Sequence, residues 1–174
     1  YSCGASALQA VLSYWGHDRD EIEIMKIIGT SEDVGTYPEN IVRGVRALGL
    51  EVEARENLAL DEVRRFGHPM IALCQVWRSQ RSSTPRPEDD WDNGHYIVVL
   101  GVDEEYVYFQ DPYLQMGKAF VTRATFEQHW HQIMGGEAAG NPKLMHLGIL
   151  IRGDRPARAA DLGEHTQVVL VAGE

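Results

Sequence analysis

Only two residues in this chain carry a thiol, Cys3 and Cys74, and their surroundings differ. Cys3 sits where a helix should begin. Ser2 suits an N-cap, Ala5, Leu8, Val11, Leu12 and Trp15 fall on one side at helical spacing, and Gly16 is a natural stop. The free amides and dipole at a helix start favour negative charge, which lowers a thiol pKa and raises the population of thiolate, the species that attacks a carbonyl. The backbone amide of Cys3 would itself point toward the developing oxyanion. The competing reading of a lone cysteine is a small buried apolar residue. Cys74, inside the apolar run Met70 to Val76, fits that reading, and the two cysteines are expected to be free thiols rather than a disulfide.

His95 is the natural base for such a thiol. It follows Gly94 and opens an apolar strand running to Val102, which places it at a sheet edge near solvent. A turn at Asp103-Glu104-Glu105 leads into a second strand, Tyr106 to Gln110. If Val102 pairs with Tyr106, Ile97 faces Asp111, and His95 and Asp111 become diagonal neighbours on one face, roughly 5 to 8 Å apart at Cβ. A slip of one residue would put them on opposite faces. A carboxylate fixes one tautomer of the imidazole and leaves its other nitrogen free to take a proton from a nucleophile. Asp111-Pro112 also fits a simple turn starter.

The elements that must hold these residues read as α+β, with helices first and strands after. Helices are expected from Glu21 to Ile28, capped by Asp18 or Asp20 and closed by Gly29, and from Pro38 through Leu48 to Gly49. Beyond Gly49 the pattern gives a strand at residues 50–54, a short helix at 61–66 and the strand at 70–76. Residues 78–93 form a long aperiodic surface loop of the kind that often covers a site. Further strands are expected at 119–121, 147–151 and 167–171, with a helix at 125–132. The polar stretch 152–166 reads as an exposed connection to the last strand, and all of residues 1–174 as one domain.

Composition narrows the function classes. A chain that is 44% hydrophobic and 24% charged belongs among globular proteins. A net charge of −10 argues against nucleic acid as a partner. No apolar run reaches the roughly 18 to 20 residues that cross a bilayer. A first residue of Tyr1 rather than Met suggests a processed or excised segment. His129 and His131 point apart if both lie on a helix, and no cysteine or histidine spacing suits zinc, so neither metal nor cofactor is expected. Arg152-Gly153-Asp154 is read as loop, and Trp15, Trp77, Trp91 and Trp130 as core and groove walls.

Three blocks together resemble a known family: Tyr1-Ser2-Cys3-Gly4-Ala5-Ser6-Ala7-Leu8-Gln9 with Tyr14-Trp15-Gly16, then Gly94-His95-Tyr96-Ile97-Val98-Val99-Leu100, then Val107-Tyr108-Phe109-Gln110-Asp111-Pro112. They look like the bacteriocin-processing cysteine peptidases, papain-like domains that cleave leader peptides after a double glycine, some of them fused to exporting ABC transporters and others standing alone. The resemblance runs from Cys3 to about His131. It implies a papain-like fold with N-terminal helices packed on an antiparallel sheet, Cys3 as nucleophile, His95 as base and Asp111 as its orienting partner. It also implies a peptide or protein substrate, an export transporter as a candidate partner, and a cytoplasmic or membrane-associated place, with secretion left open. The family's oxyanion glutamine lies a few residues before the cysteine and is absent from this sequence, which starts two residues before Cys3. Gln9 lies on the wrong side of the nucleophile to replace it. Alternatives that share the fold are acyl transfer to another acceptor and peptide binding without cleavage.

Overall fold

The computed structural model describes residues 1–33, 35–75, 86–112, 114, 117–135, 140–156 and 166–167. Three helices lead: α1 (Cys3–Tyr14), α2 (Glu21–Ile28) and α3 (Pro38–Ala47). There follow β1 (Glu51–Arg55), α4 (Leu60–Phe66), β2 (Met70–Gln75), a single 3-10 turn (Pro87–Asp89), β3 (Gly94–Val102), β4 (Tyr106–Gln110) and β5 (Lys118–Thr122). The chain ends with α5 (Arg123–His129), β6 (His131–Ile133), β7 (Lys143–Met145), β8 (Gly148–Arg152) and β9 (Thr166–Gln167).

Local chemistry explains the helix ends. Asp20, rather than Asp18, caps α2 by accepting the Ile22 amide, while Asp18 takes the Ser13 hydroxyl at 2.6 Å. Gly29 closes α2 at φ 62°, a conformation other residues enter only with strain. Ser2 occupies the N-cap position of α1, but its hydroxyl makes no capping bond, so the amides of the first turn are left for other partners.

The main sheet has seven strands in the order β1-β8-β2-β3-β4-β5-β9, antiparallel throughout except for the final β5-β9 pair. It carries an apolar cluster on each side. Helices α1, α2 and α3 supply Leu8, Leu12, Ile24, Ile28, Ile41 and Val45 to the cluster that includes Tyr96 and Val98 of β3. The opposite cluster takes Ile97 and Val99 of the same strand and is closed by Leu60, Val63 and Phe66 of α4 with Phe126 of α5 and Trp130. Alternation along β3 therefore serves both layers. The α+β, papain-like arrangement expected from sequence is present, with helices on the second face as well.

Beyond shifts of a residue or two at element ends, two places differ from the sequence reading. The helix expected at 125–132 ends at His129, because the Trp130 ring turns inward to donate to the Leu147 carbonyl at 2.9 Å and to stack on His146. Residues 131–133 then pair with β7 as a ribbon that the sequence reading lacked, so His129 and His131 do not share a helix. Part of the long loop is also ordered by its own chemistry: Asp90 is buried and accepts from the Asn93 side chain and the Asp92 amide. Residues 78–85 of that loop lie outside the described residues, as do Val76 at the end of the expected strand and Trp77. So do 157–165 of the connection, of which 154–156 are exposed, and 168–171 of the last strand.

Trp130 is fully buried and ties the end of α5 to Leu147, the residue before β8, through its indole N–H. Trp130→Ala is expected to lower the unfolding free energy by about 3 to 5 kcal/mol, read as a shift in the urea midpoint at constant slope.

Candidate active site

The β3-β4 hairpin sets the geometry of His95 and Asp111. Its tip is tighter than the sequence suggested: Asp103 donates its amide to the Tyr106 carbonyl at 3.0 Å, and its carboxylate takes the amides of Glu105 and Tyr106. Val102 therefore pairs with Val107, one residue out of the expected register. Between Val99 and Gly101 the register shifts back, so that Val99 faces Phe109 and Val98 faces Gln110. Leu100 is the extra residue of a β-bulge. Continued one step, the corrected register puts Asp111 opposite Ile97 and on the face of His95. Without the bulge Asp111 would lie opposite Val98, on the other face.

The two side chains meet in the interior. His95 Nε2 and Asp111 Oδ1 are 2.8 Å apart, with 3% of the His95 side chain and none of the Asp111 side chain exposed. With Nε2 engaged by the carboxylate, Nδ1 is the ring nitrogen left for Cys3, whose thiol lies near enough for the two groups to shift each other's ionisation. β4 ends at Gln110 and the described pairing of β3 with β4 stops at Val98, which leaves the Tyr96 amide beside the Cys3 sulfur, where it lowers the thiol. The start of α1 can approach this closely because residue 4 is glycine: a Cβ on Gly4 would lie 3.2 Å from both Thr36 Cβ and Tyr96 Cδ2. Tyr96 is held in turn by its hydroxyl, which donates to the Thr36 carbonyl at 2.9 Å.

The electrostatics follow from these contacts. Burial alone would push the Cys3 thiol up, but the His95 hydrogen bond, the Tyr96 amide and the imidazolium charge outweigh it and bring the thiol below its ordinary value. Burial alone would likewise push His95 down. The bonds to Asp111 and Cys3 and the charges of both raise it to about 9. The contact thus shifts Cys3 toward the thiolate and His95 toward the imidazolium, and the two titrate together rather than independently. Cys74 shows the opposite case. It pairs with His95 across β2 and β3, is fully enclosed, and burial with the nearby Asp111 charge pushes its thiol far up.

The structure thus brings together all three residues picked from sequence. Sequence reasoning missed Gly4, the Tyr96 amide and the buried amide side chains of Gln75 and Gln132 behind Gly94. Gly4 beside a candidate nucleophile was a usable signal. The glutamines carried none.

The profile of the Peptidase C39 family matches residues 1–134. The chain belongs to this family. Among curated relatives, the pediocin PA-1 transport/processing ATP-binding protein PedD of Pediococcus acidilactici is 24% identical over 131 residues. That match takes in 75% of this chain but 16% of PedD, so the chain spans about a sixth of that relative. An uncharacterized protein of Methanothermobacter marburgensis is 30% identical over 133 residues, covering 74% of this chain and 75% of its own length. A solved double glycine motif protease from an AMS/PCAT transporter, in complex with the leader peptide, shares the fold at TM-score 0.60 and 19% identity, over 86% of this chain and 82% of that one. Among the described residues no helix is long and apolar enough to cross a membrane, and no cluster of three or more candidate metal ligands occurs.

Brief treatment with iodoacetamide at pH 6 is expected to alkylate Cys3 and spare Cys74, as read by peptide mass spectrometry. Asp111→Asn should slow the Cys3 reaction, about tenfold for each pH unit that the thiol regains toward its ordinary value. Equal labelling of both cysteines would contradict the assigned environments.

Proposed function

We propose that the chain is a cysteine peptidase that cleaves a peptide bond through Cys3, His95 and Asp111. The observation that carries this reading is the buried 2.8 Å bond between His95 and Asp111, in contact with a thiol held below its ordinary value. The Cys3 thiolate adds to the scissile carbonyl carbon, and its own backbone amide, at the start of α1, donates to the oxyanion. His95 gives its proton to the departing amine, leaving a thioester on Cys3. Water, deprotonated by His95, then attacks that thioester and releases the acid and the thiolate. Asp111 keeps the imidazole in one orientation and stabilises its charged form throughout.

The substrate we propose is the leader segment of a secreted peptide, with an export transporter as the associated partner. Membership of the Peptidase C39 family and likeness to a transporter peptidase domain solved with a leader peptide support this choice.

The test is incubation with synthetic peptides bearing a double-glycine leader, alongside the same peptides with the glycines replaced. Cleavage should occur at one bond and vanish in Cys3→Ala. Transfer of the acyl group to an added amine, in preference to water, would assign acyl transfer instead, and tight binding without cleavage would assign a peptide-binding domain. The rate should rise with pH as Cys3 ionises and fall through about pH 9, where His95 loses the proton it must donate. Asp111→Asn should move that alkaline limb to lower pH.

A further inference from the structure

The start of β3 is braced by a chain of buried amides that no step of the chemistry above uses. Gln75, 1% exposed, pairs with Gly94 at the end of β2. Its carbonyl oxygen accepts the Asn93 amide at 2.8 Å. Its nitrogen donates to Gln132 Oε1 at 2.6 Å and to the His131 carbonyl at 3.2 Å. Gln132 Oε1 also takes the Ile133 amide at 3.0 Å, and Asn93 is tied by its side chain to the buried Asp90. Three separate segments, β2, β6 and the residues entering β3, thus share one polar node.

Gly94 belongs to this node. Its φ lies outside the left-handed region, so backbone conformation does not call for glycine there. Contact does: a Cβ would fall 1.3 Å from Gln132 Nε2, which means that the Gln132 amide rests on the Gly94 Cα. His95 is the next residue. Because the described pairing of β3 with β4 begins only at Val98, the sheet holds Gly94 to Ile97 from the β2 side alone. A general base must be held to within about half an ångström of its productive position, and a one-sided strand end does not supply that.

We propose that Gln75 and Gln132 are positioning residues that lock the Gly94-His95 backbone and so set the His95 ring between Cys3 and Asp111. This rests on the peptidase reading for its consequence to rate, but the position and proton affinity of His95 are measurable without turnover. A misplacement of about 1 Å costs on the order of 100-fold in rate.

The experiment uses Gln132→Ala, Gln75→Leu, Gly94→Ala and the double variant Gly94→Ala/Gln132→Ala, each checked for fold by circular dichroism. Two readouts are taken: the His95 imidazole titration by NMR, and the pH dependence of Cys3 alkylation. The single variants should lower the His95 titration midpoint toward its ordinary value and slow Cys3 alkylation at pH 6 by about 10-fold or more. Gly94→Ala should do the same by expelling the amide, and adding Gln132→Ala should cost little further, because the clash is then gone. Folded Gln132→Ala with an unchanged His95 midpoint and unchanged alkylation would overturn the proposal, whatever its melting temperature. If Gln75→Leu does not fold, Gln132→Ala and the Gly94 cycle decide the matter alone. Absence of peptide cleavage by the wild type, with the His95 midpoint still moving in the variants, would remove the peptidase reading and leave the positioning role standing.

Discussion

Burying a carboxylate completely costs several kcal/mol unless a partner of good geometry compensates it. In this protein a partner of Asp111 is His95, 2.8 Å away and almost as enclosed. Much of the surrounding structure is arranged to satisfy that pair. The bulge at Leu100 puts the two residues on one face, and the end of β4 at Gln110 lets the chain turn Asp111 toward the imidazole. The same ending exposes the Tyr96 amide, to which the start of α1 brings Cys3. One strand terminus thus opens a place that a helix terminus fills, and the thiol sits where the two meet.

The contrast between Cys3 and Cys74 separates residue type from environment. Both are thiols close to the same histidine, one across the open edge of β3 and one directly opposite on β2. Enclosure with a carboxylate as the nearby charge drives Cys74 up, whereas an imidazolium and a backbone amide drive Cys3 down. Burial acts in the same direction on both, so it is the sign of the neighbouring charge and the presence of donors that divide them. An acidic net charge of −10 on the whole chain does not override this, because exposed charges farther off act through solvent and salt and are screened.

How much of this was legible in the sequence depended on how local each signal was. Helix α2 was readable almost to the residue because a carboxylate cap, a periodic apolar face and a terminal glycine agree within ten residues. The hairpin was legible as a hairpin, yet its tip was misread by one position. Asp103 closes a two-residue tip with its own amide and carboxylate, and only the compensating bulge made the inferred partners of His95 correct. The end of α5 was overrun because its stop is a distant contact, the indole of Trp130 donating to Leu147, 17 residues later. Gln75 and Gln132 were beyond reach, since their meaning is a contact across 57 residues and a glutamine alone announces nothing.

That last contact also bears on why polar residues persist beside an apolar core. Gln75 could be replaced by an aliphatic side chain with little loss of buried area, and a fully satisfied amide adds only about 1 kcal/mol each bond over its hydration in water. What hydrogen bonds add over apolar packing is direction: each fixes an atom along a line, whereas dispersion contacts tolerate sliding. The residues that flank His95 on its own strand, Tyr96 to Val99, are buried and apolar apart from one tyrosine hydroxyl, and that hydroxyl too is pinned to the Thr36 carbonyl. The strand is therefore held by packing along most of its length and by directional bonds at the end where the histidine stands. A bulge resets the register, and the polar node fixes its terminus. Between them they reduce a nine-residue strand to one placement of the His95 ring.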